Sequence, residues 1–215
     1  MSAFLGPIHE WLYQQIKIIE DRERKIVSNF SEVYSQEEVE DIVEPIREQF
    51  GDLKKDVPLS ELISGNNIHP WLESAIVSAQ SREAALVRDL YDEFNDKDLL
   101  EEVYKKQSRN IAGQVKTDDN MDLKDVFKVL NDYFLERMPC DRLSESTESE
   151  NKIIWEHKAK LHQEFWEEVG VDLELMHLLY SDWIESFISM LNSGIRYERI
   201  VNEDHYLDIL MQENS

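Results

Sequence analysis

The chain carries one short stretch twice: residues 8–12 read Ile-His-Glu-Trp-Leu, and residues 68–72 read Ile-His-Pro-Trp-Leu. With the offset held at 60 residues, eight of the twenty positions in 8–27 are identical in 68–87. The identical pairs are Ile8/Ile68, His9/His69, Trp11/Trp71, Leu12/Leu72, Ile16/Ile76, Arg22/Arg82, Glu23/Glu83 and Val27/Val87. A match at a fixed period indicates a supersecondary unit used twice, with equivalent residues close together in the fold.

Helical periodicity extends outward from both copies. Apolar residues recur at three- and four-residue steps after the first copy, at Leu12, Ile16, Ile19, Ile26 and Phe30. A capping box at Ser35–Glu38 predicts a following helix that ends near Gly51. The chain has only six Gly and five Pro, and its segments are not typical of strands. We therefore predict an all-α fold, an up-and-down bundle of about seven helices that contains a tandem helical-hairpin repeat.

We predict one all-helical domain over residues 1–215, with repeat units at about 7–51 and 67–111 and C-terminal helices over about 121–211. The aromatic-rich stretch 151–168 is expected to be one of those helices. The Ser- and Glu-rich stretch 141–150 is expected to be a mobile linker before it. Residues 195–211 are expected to hold a last short amphipathic segment.

The formal net charge of −23 excludes several partners. So acidic a chain repels a nucleic-acid backbone and anionic membrane surfaces, and we expect neither as a partner. The densest basic stretch contains Lys105, Lys106, Arg109 and Lys116. It is either a solvated helix end, whose cations complement the helix dipole, or a patch for an anion or an acidic partner. The first residues lack the pattern of a signal peptide, and Cys140 is the only cysteine, so a cytoplasmic location is expected.

The histidines suggest a metal site at one end of the bundle. His9 and His69 begin the two repeated helices, and Glu174 and His177 are three residues apart, a spacing that di-iron carboxylate bundles use. Together these four residues are suitable ligands for iron or zinc. The alternative is structural: in each repeated His-x-Trp, the imidazole bonds the backbone while Trp11 or Trp71 fills the core or a ligand site.

The repeat also places carboxylates in apolar stripes. Glu23 and Glu83 occupy equivalent core-facing positions, and Arg22 and Arg82 precede them. A buried carboxylate is costly unless it is paired or bound to a metal. One hypothesis is an ion-pair lock, either reciprocal, Glu23 with Arg82 and Glu83 with Arg22, or formed within each hairpin. A second is a metal or polar-ligand site at mid-bundle. The third is a rotated stripe that leaves both acids in solvent.

A third candidate lies in the aromatic-rich stretch, where His162 and Trp166 are expected on an inward face. Aromatic residues with one or two histidines are typical of a small-molecule pocket, but also of an ordinary core. Cys140 follows a helix end, and His157 is the one plausible base for it. Phosphate loops, serine nucleophile elbows and paired CxxC motifs are absent from the sequence.

These patterns favour an intracellular helical-bundle binding protein, for a protein partner or a small ligand, without standard catalytic machinery. The alternative is a metal-binding bundle that acts as a sensor or a metal-dependent enzyme. A homo-oligomer built on exposed aromatic residues is a further possibility. Whether the protein is an enzyme is left open by the sequence.

Overall fold

The computed structural model describes residues 6–63, 67–116 and 121–213 of the chain. Residues 1–5, on which the expectation about a signal peptide chiefly rests, lie outside these ranges. The first half of the chain folds as α1 (Pro7–Val33), α2 (Gln36–Phe50), α3 (Leu59–Leu62), α4 (Ile68–Phe94) and α5 (Lys97–Val115). The second half folds as α6 (Leu123–Tyr133), β1 (Ser144–Glu148), β2 (Lys152–Lys158), α7 (Gln163–Val169), α8 (Leu173–Leu191), β3 (Ile195–Val201) and β4 (His205–Gln212).

The two copies of the repeat are the N-terminal halves of α1 and α4, which are both 27 residues long. The helices lie side by side and parallel, because residues 60 positions apart meet along their length, as His9 meets His69. Leu12 and Ile16 of α1 and Leu72 of α4 are buried together between them. The second helix of each hairpin packs across onto the other hairpin, α2 against α4 and α5 against α1.

The prediction of an all-α fold is wrong, because the C-terminal part contains a four-stranded antiparallel sheet in the order β1-β2-β4-β3. The expected linker at 141–150 contains β1, which pairs with β2. The expected helix at 151–168 contains β2 and, after a short 3-10 turn, α7. The expected amphipathic segment at 195–211 is the hairpin of β3 and β4.

The prediction failed because residues 152–158 alternate between buried and more exposed positions, and their aromatic side chains also fit a helical pattern. In β2, Ile153, Trp155 and His157 are buried and Glu156 between them is exposed. Such alternation is typical of a strand with one face on a core. Long-range pairing with β4 satisfies the backbone of β2 and aligns Trp155 with Asp208.

Helix positions and caps were predicted better. The Ser35 side chain accepts from the backbone N–H of Glu38, and Asp172 accepts from Glu174 and Leu175 at the start of α8. α2 continues unbroken through Pro45. Within the described ranges, no helix combines the length and the apolar character that crossing a bilayer requires.

Candidate functional site

The inner face of the sheet, which packs on α6 and α8, carries a buried polar cluster centred on Asp208 of β4. Arg199 approaches both of its carboxylate oxygens, Nε at 2.7 Å and Nη2 at 2.8 Å, and the Tyr197 hydroxyl donates at 2.6 Å. Burial alone raises the pKa of Asp208, but the charge of Arg199 and the contact with His157 hold it far below its ordinary value. Asp208 is therefore an anion under all ordinary conditions.

His157 links this centre to the surface. It is fully buried, with Nε2 at 3.0 Å from Asp208 Oδ2 and Nδ1 at 3.3 Å from Glu136 Oε1. Burial lowers the pKa of His157, but the two carboxylates outweigh burial and raise it. Glu136 is partly exposed and accepts from the Ser144 hydroxyl at 2.8 Å. The five residues Glu136, His157, Tyr197, Arg199 and Asp208 are here called the Asp208 cluster.

A second buried histidine, His162, binds the backbone of Leu135, the residue before Glu136. His162 Nε2 lies 3.0 Å from the carbonyl oxygen of Leu135, which can only accept, so Nε2 carries the proton. Its Nδ1 then accepts from the Tyr206 hydroxyl at 2.6 Å. Burial lowers the pKa of His162 well below its ordinary value, so this imidazole stays neutral. Two buried imidazoles thus fix the backbone of Leu135 and the side chain of Glu136.

The chain beyond these anchors, residues 135–143, is here called the anchored segment. It makes a 3-10 turn at Pro139–Asp141, and Arg142 then adopts φ of 50°. A left-handed conformation is uncommon for a residue other than glycine and often marks a functional segment. The segment ends at Leu143, which is buried against Leu161 and Tyr206.

A surface hollow of about 260 Å³ separates the anchored segment from α4. This α4 hollow is lined by Glu73, Ile76, Val77, Arg137, Met138, Asp141 and Leu143. Arg137 is the only cation among them, and its position is fixed by Glu164 at 2.6 Å and by the ring of Phe165 at 4.4 Å. One guanidinium, two carboxylates and an apolar floor therefore converge in one small space.

The repeated histidines, His9 and His69, form a hydrogen-bonded chain at the start of α1 and α4. The Gly6 N–H donates to His9 Nδ1 at 3.1 Å, so the proton of His9 lies on Nε2. His9 Nε2 then donates to Nε2 of His69 at 3.0 Å. Trp11 and Trp71 lie beside this pair, partly buried against the core between α1 and α4. His9 thus bonds the backbone, as the structural alternative expects, whereas His69 bonds the ring of His9.

The predicted ion-pair lock is confirmed in the structure. Arg22 Nε lies 2.5 Å from Glu83 Oε1, and Arg82 Nε lies 2.5 Å from Glu23 Oε2. Arg82 also contacts Glu20 at 2.9 Å, and all of these groups are buried. We call Glu20, Arg22, Glu23, Arg82 and Glu83 the ion-pair lock. Both predicted metal-binding carboxylates are therefore already paired with guanidinium groups.

The remaining predicted ligands lie apart from these. His177 accepts from Gln163 at 2.7 Å, and burial lowers its pKa to about 4. Its ring lies 5.0 Å from that of Trp166, which is fully buried, while Glu174 is exposed. Among the described residues, no group of three or more His, Cys, Asp or Glu is arranged to hold a metal ion. The predicted ligands thus fall into three separate places.

Cys140 is exposed on the anchored segment, and its sulfur lies 3.9 Å from the carboxylate of Asp141. The suggested base, His157, is fully buried and committed to Asp208 and Glu136. Of the basic stretch, Lys105 lies in the middle of α5 rather than at its end and pairs with Glu101 of the same helix and Asp182 of α8.

Comparison with known proteins finds no family model, no curated protein and no solved structure that matches this chain. The site is therefore defined by its own residues. Sequence reasoning missed Glu136, Arg137, Arg199 and Asp208, which come from three separate places in the chain. The alternation of buried residues along β2 is the one signal that could have located the sheet and, with it, this cluster.

Proposed function

We propose that this protein is a binding protein without standard catalytic machinery, and that it takes an amino-acid-sized zwitterion in the α4 hollow. The observation that carries the proposal is the placement of opposite charges around an apolar floor. Arg137 comes from the anchored segment, whereas Glu73 comes from α4 across the hollow. Asp141 adds a second carboxylate.

The chemistry of the lining fits such a ligand group by group. The fork of an arginine binds a carboxylate through two charge-assisted hydrogen bonds, which Arg137 offers. Glu73 and Asp141 attract an ammonium group. Val77, which is 39% exposed, and the partly exposed Met138 provide the surface for an apolar side chain, and the buried Ile76 and Leu143 lie at its base. A volume of about 260 Å³ is just below the usual range of about 300–1,000 Å³ for drug-sized ligands, so the ligand is small.

Two features support binding rather than turnover. The anchored segment is fixed from behind by His157 and His162, and a preformed site loses less entropy on binding. Cys140 lies next to the hollow-lining residue Asp141, and its sulfur contacts the carboxylate of that residue rather than an imidazole that could act as its base.

We further propose a cytoplasmic location and no nucleic-acid or membrane partner. The single exposed cysteine suits a reducing compartment. The net charge of −23 opposes polyanionic partners.

Isothermal titration calorimetry tests the proposal. L-Leucine or L-methionine should bind, whereas L-leucinamide, which lacks the carboxylate, and 4-methylpentanoate, which lacks the ammonium, should bind at least tenfold more weakly. The variant Arg137→Gln should lose about 10- to 100-fold in affinity, because a hydrogen bond to a charged group contributes about 1.5–3 kcal/mol.

The matched control is Arg142→Gln. It removes the same charge from the anchored segment, but Arg142 lines a neighbouring hollow rather than the α4 hollow. It should leave the affinity within twofold. No detectable heat with any apolar amino acid at millimolar concentration, or an equal loss in both variants, would contradict the proposal. Urea unfolding of both variants checks that the fold is retained.

A further inference from the structure

The outer face of the sheet, directed away from α6 and α8, carries an apolar strip. Because side chains alternate along a strand, burial of Ile153, Trp155 and His157 directs Ile154 to the outer face. Leu207, Ile209 and Met211 lie on this face of β4: Leu207 and Met211 are partly exposed, whereas Ile209 is only 5% exposed. Ile200 of β3 is 38% exposed beside them. A solvent-facing side of an antiparallel sheet is normally polar, so a central strand with three apolar outward residues indicates a contact surface.

The charges around the strip are arranged in rows by the strand register. Lys152 and Arg196 flank Met211 in the first row. The middle row holds Ile154, Ile209 and Glu198. In the third row, Glu156 lies between Glu145 of β1 and Leu207. The strip is therefore bounded by cations at one end and by two carboxylates at the other.

We propose that this face binds the same face of a second copy of the chain, about a two-fold axis that runs across the strands through Ile154 and Ile209. Such an axis places Lys152 of each copy over Glu156 of the other and Met211 over Leu207. Ile154 and Ile209 meet their own counterparts at the centre, and Glu198 also meets its counterpart, so those two carboxylates repel each other. The Lys152–Glu156 contacts and the Met211–Leu207 contacts are self-complementary, as a two-fold interface requires.

The expected dimer is weak. Four strands about 4.8 Å apart and three rows about 7 Å apart give a patch of roughly 300 Å². A standard stable interface buries about 800 Å² on each partner. Each copy also carries a net charge of −23, so long-range repulsion opposes association at low salt. Dimerisation should therefore strengthen as salt shortens the Debye length from about 10 Å at 0.1 M.

Sedimentation equilibrium of the full chain at 10–500 μM in 0.5 M NaCl tests this inference. The natural protein should show a concentration-dependent dimer. Lys152→Glu and Glu156→Lys should each abolish it, because each substitution opposes like charges across the axis. The double variant Lys152→Glu/Glu156→Lys should restore it, since the two-fold pairs the exchanged residues again.

The control is Lys106→Glu on the exposed side of α5, which changes the net charge by the same amount as Lys152→Glu. It should leave the dimer unchanged. A purely monomeric natural protein at 500 μM, or a double variant that stays monomeric while its fold is intact by circular dichroism, would overturn the inference. None of these substitutions touches the α4 hollow, so the result does not depend on the proposed ligand.

Discussion

Two buried ionic networks hold this protein together, and they differ in how they respond to the solvent. The ion-pair lock joins α1 and α4 through Arg and Glu side chains, with Arg22 also lying over the ring of Tyr104 at 4.6 Å. The Asp208 cluster joins β2, β3 and β4 and includes His157. The first network consists only of arginine and glutamate side chains, whereas the second contains a histidine, whose ordinary pKa of about 6.5 is raised in this structure.

The two networks therefore have different structural roles. The lock is enclosed by helices and fixes their register at mid-length. The Asp208 cluster reaches the surface at Glu136 and positions the anchored segment. The register of α1 against α4 thus depends on Arg–Glu pairs. The position of the anchored segment depends on His157, an imidazole that can lose a proton.

The largest effect is expected from breaking the lock. Arg82→Met removes the cation that serves Glu23 and Glu20 and that donates to the carbonyl of Gly51 at 2.8 Å. Glu20 then loses its ion-pair partner and Glu23 keeps only the more exposed Arg47, so the free energy of unfolding should fall by about 3–5 kcal/mol. Urea denaturation measures the loss.

Arg47→Met is the control for this comparison, because Arg47 also contacts Glu23 but is about one-third exposed. It should cost less than about 1 kcal/mol. Equal losses for both variants would show that burial does not determine the strength of the lock.

A smaller, pH-dependent effect is expected at the Asp208 cluster. Because the folded-state pKa of His157 is raised, its charge stabilises the fold fully below the unfolded value of about 6.5 and ceases to do so as the pH rises through the folded pKa. His157→Gln should therefore cost about 1–3 kcal/mol at pH 6 and less at pH 9. Chemical denaturation at both pH values gives the comparison.

His205→Gln is the matched histidine control, since His205 is partly exposed and contacts only the neighbouring Asp204 and Asn202. Its effect should be within about 0.5 kcal/mol at either pH. If the cost of His157→Gln grew towards pH 9, the imidazole would not be the charged partner described here.

The smallest effect is expected where the repeat begins. His69→Ala removes one partly exposed hydrogen bond and should cost about 0.5–1 kcal/mol. His9→Ala should cost more, because it also frees the N–H of Gly6 at the start of α1. Thermal unfolding of both variants ranks them, and the reverse order would contradict the tautomer assigned to His9.

The sequence was informative wherever a structural rule acts over a short distance. Caps at Ser35 and Asp172 are local, and the lock was predictable because the offset of 60 residues brings Glu23 to Arg82. The sheet was missed because its strands are specified by partners far along the chain. Trp155 satisfies a helical aromatic pattern as well as a strand pattern, and only pairing with β4 decides between them.

The candidate site was beyond prediction for the same reason. Glu136 follows a helix, His157 lies in β2, and Arg199 and Asp208 lie in the final hairpin. Their meeting depends on the sheet order, which no local pattern encodes. Arg137 carries no signal in the sequence at all until Glu164 and Phe165 are seen to hold it.

The parallel arrangement of α1 and α4 has a consequence for how the chain folds. The two cross pairs of the lock join residues 59 and 61 positions apart, whereas the neighbouring α2, within the described ranges, offers α1 one ion pair, that of Arg47 with Glu23. Closing so long a loop costs chain entropy before any contact repays it. During synthesis, the cross pairs can therefore form only after α4 has been made.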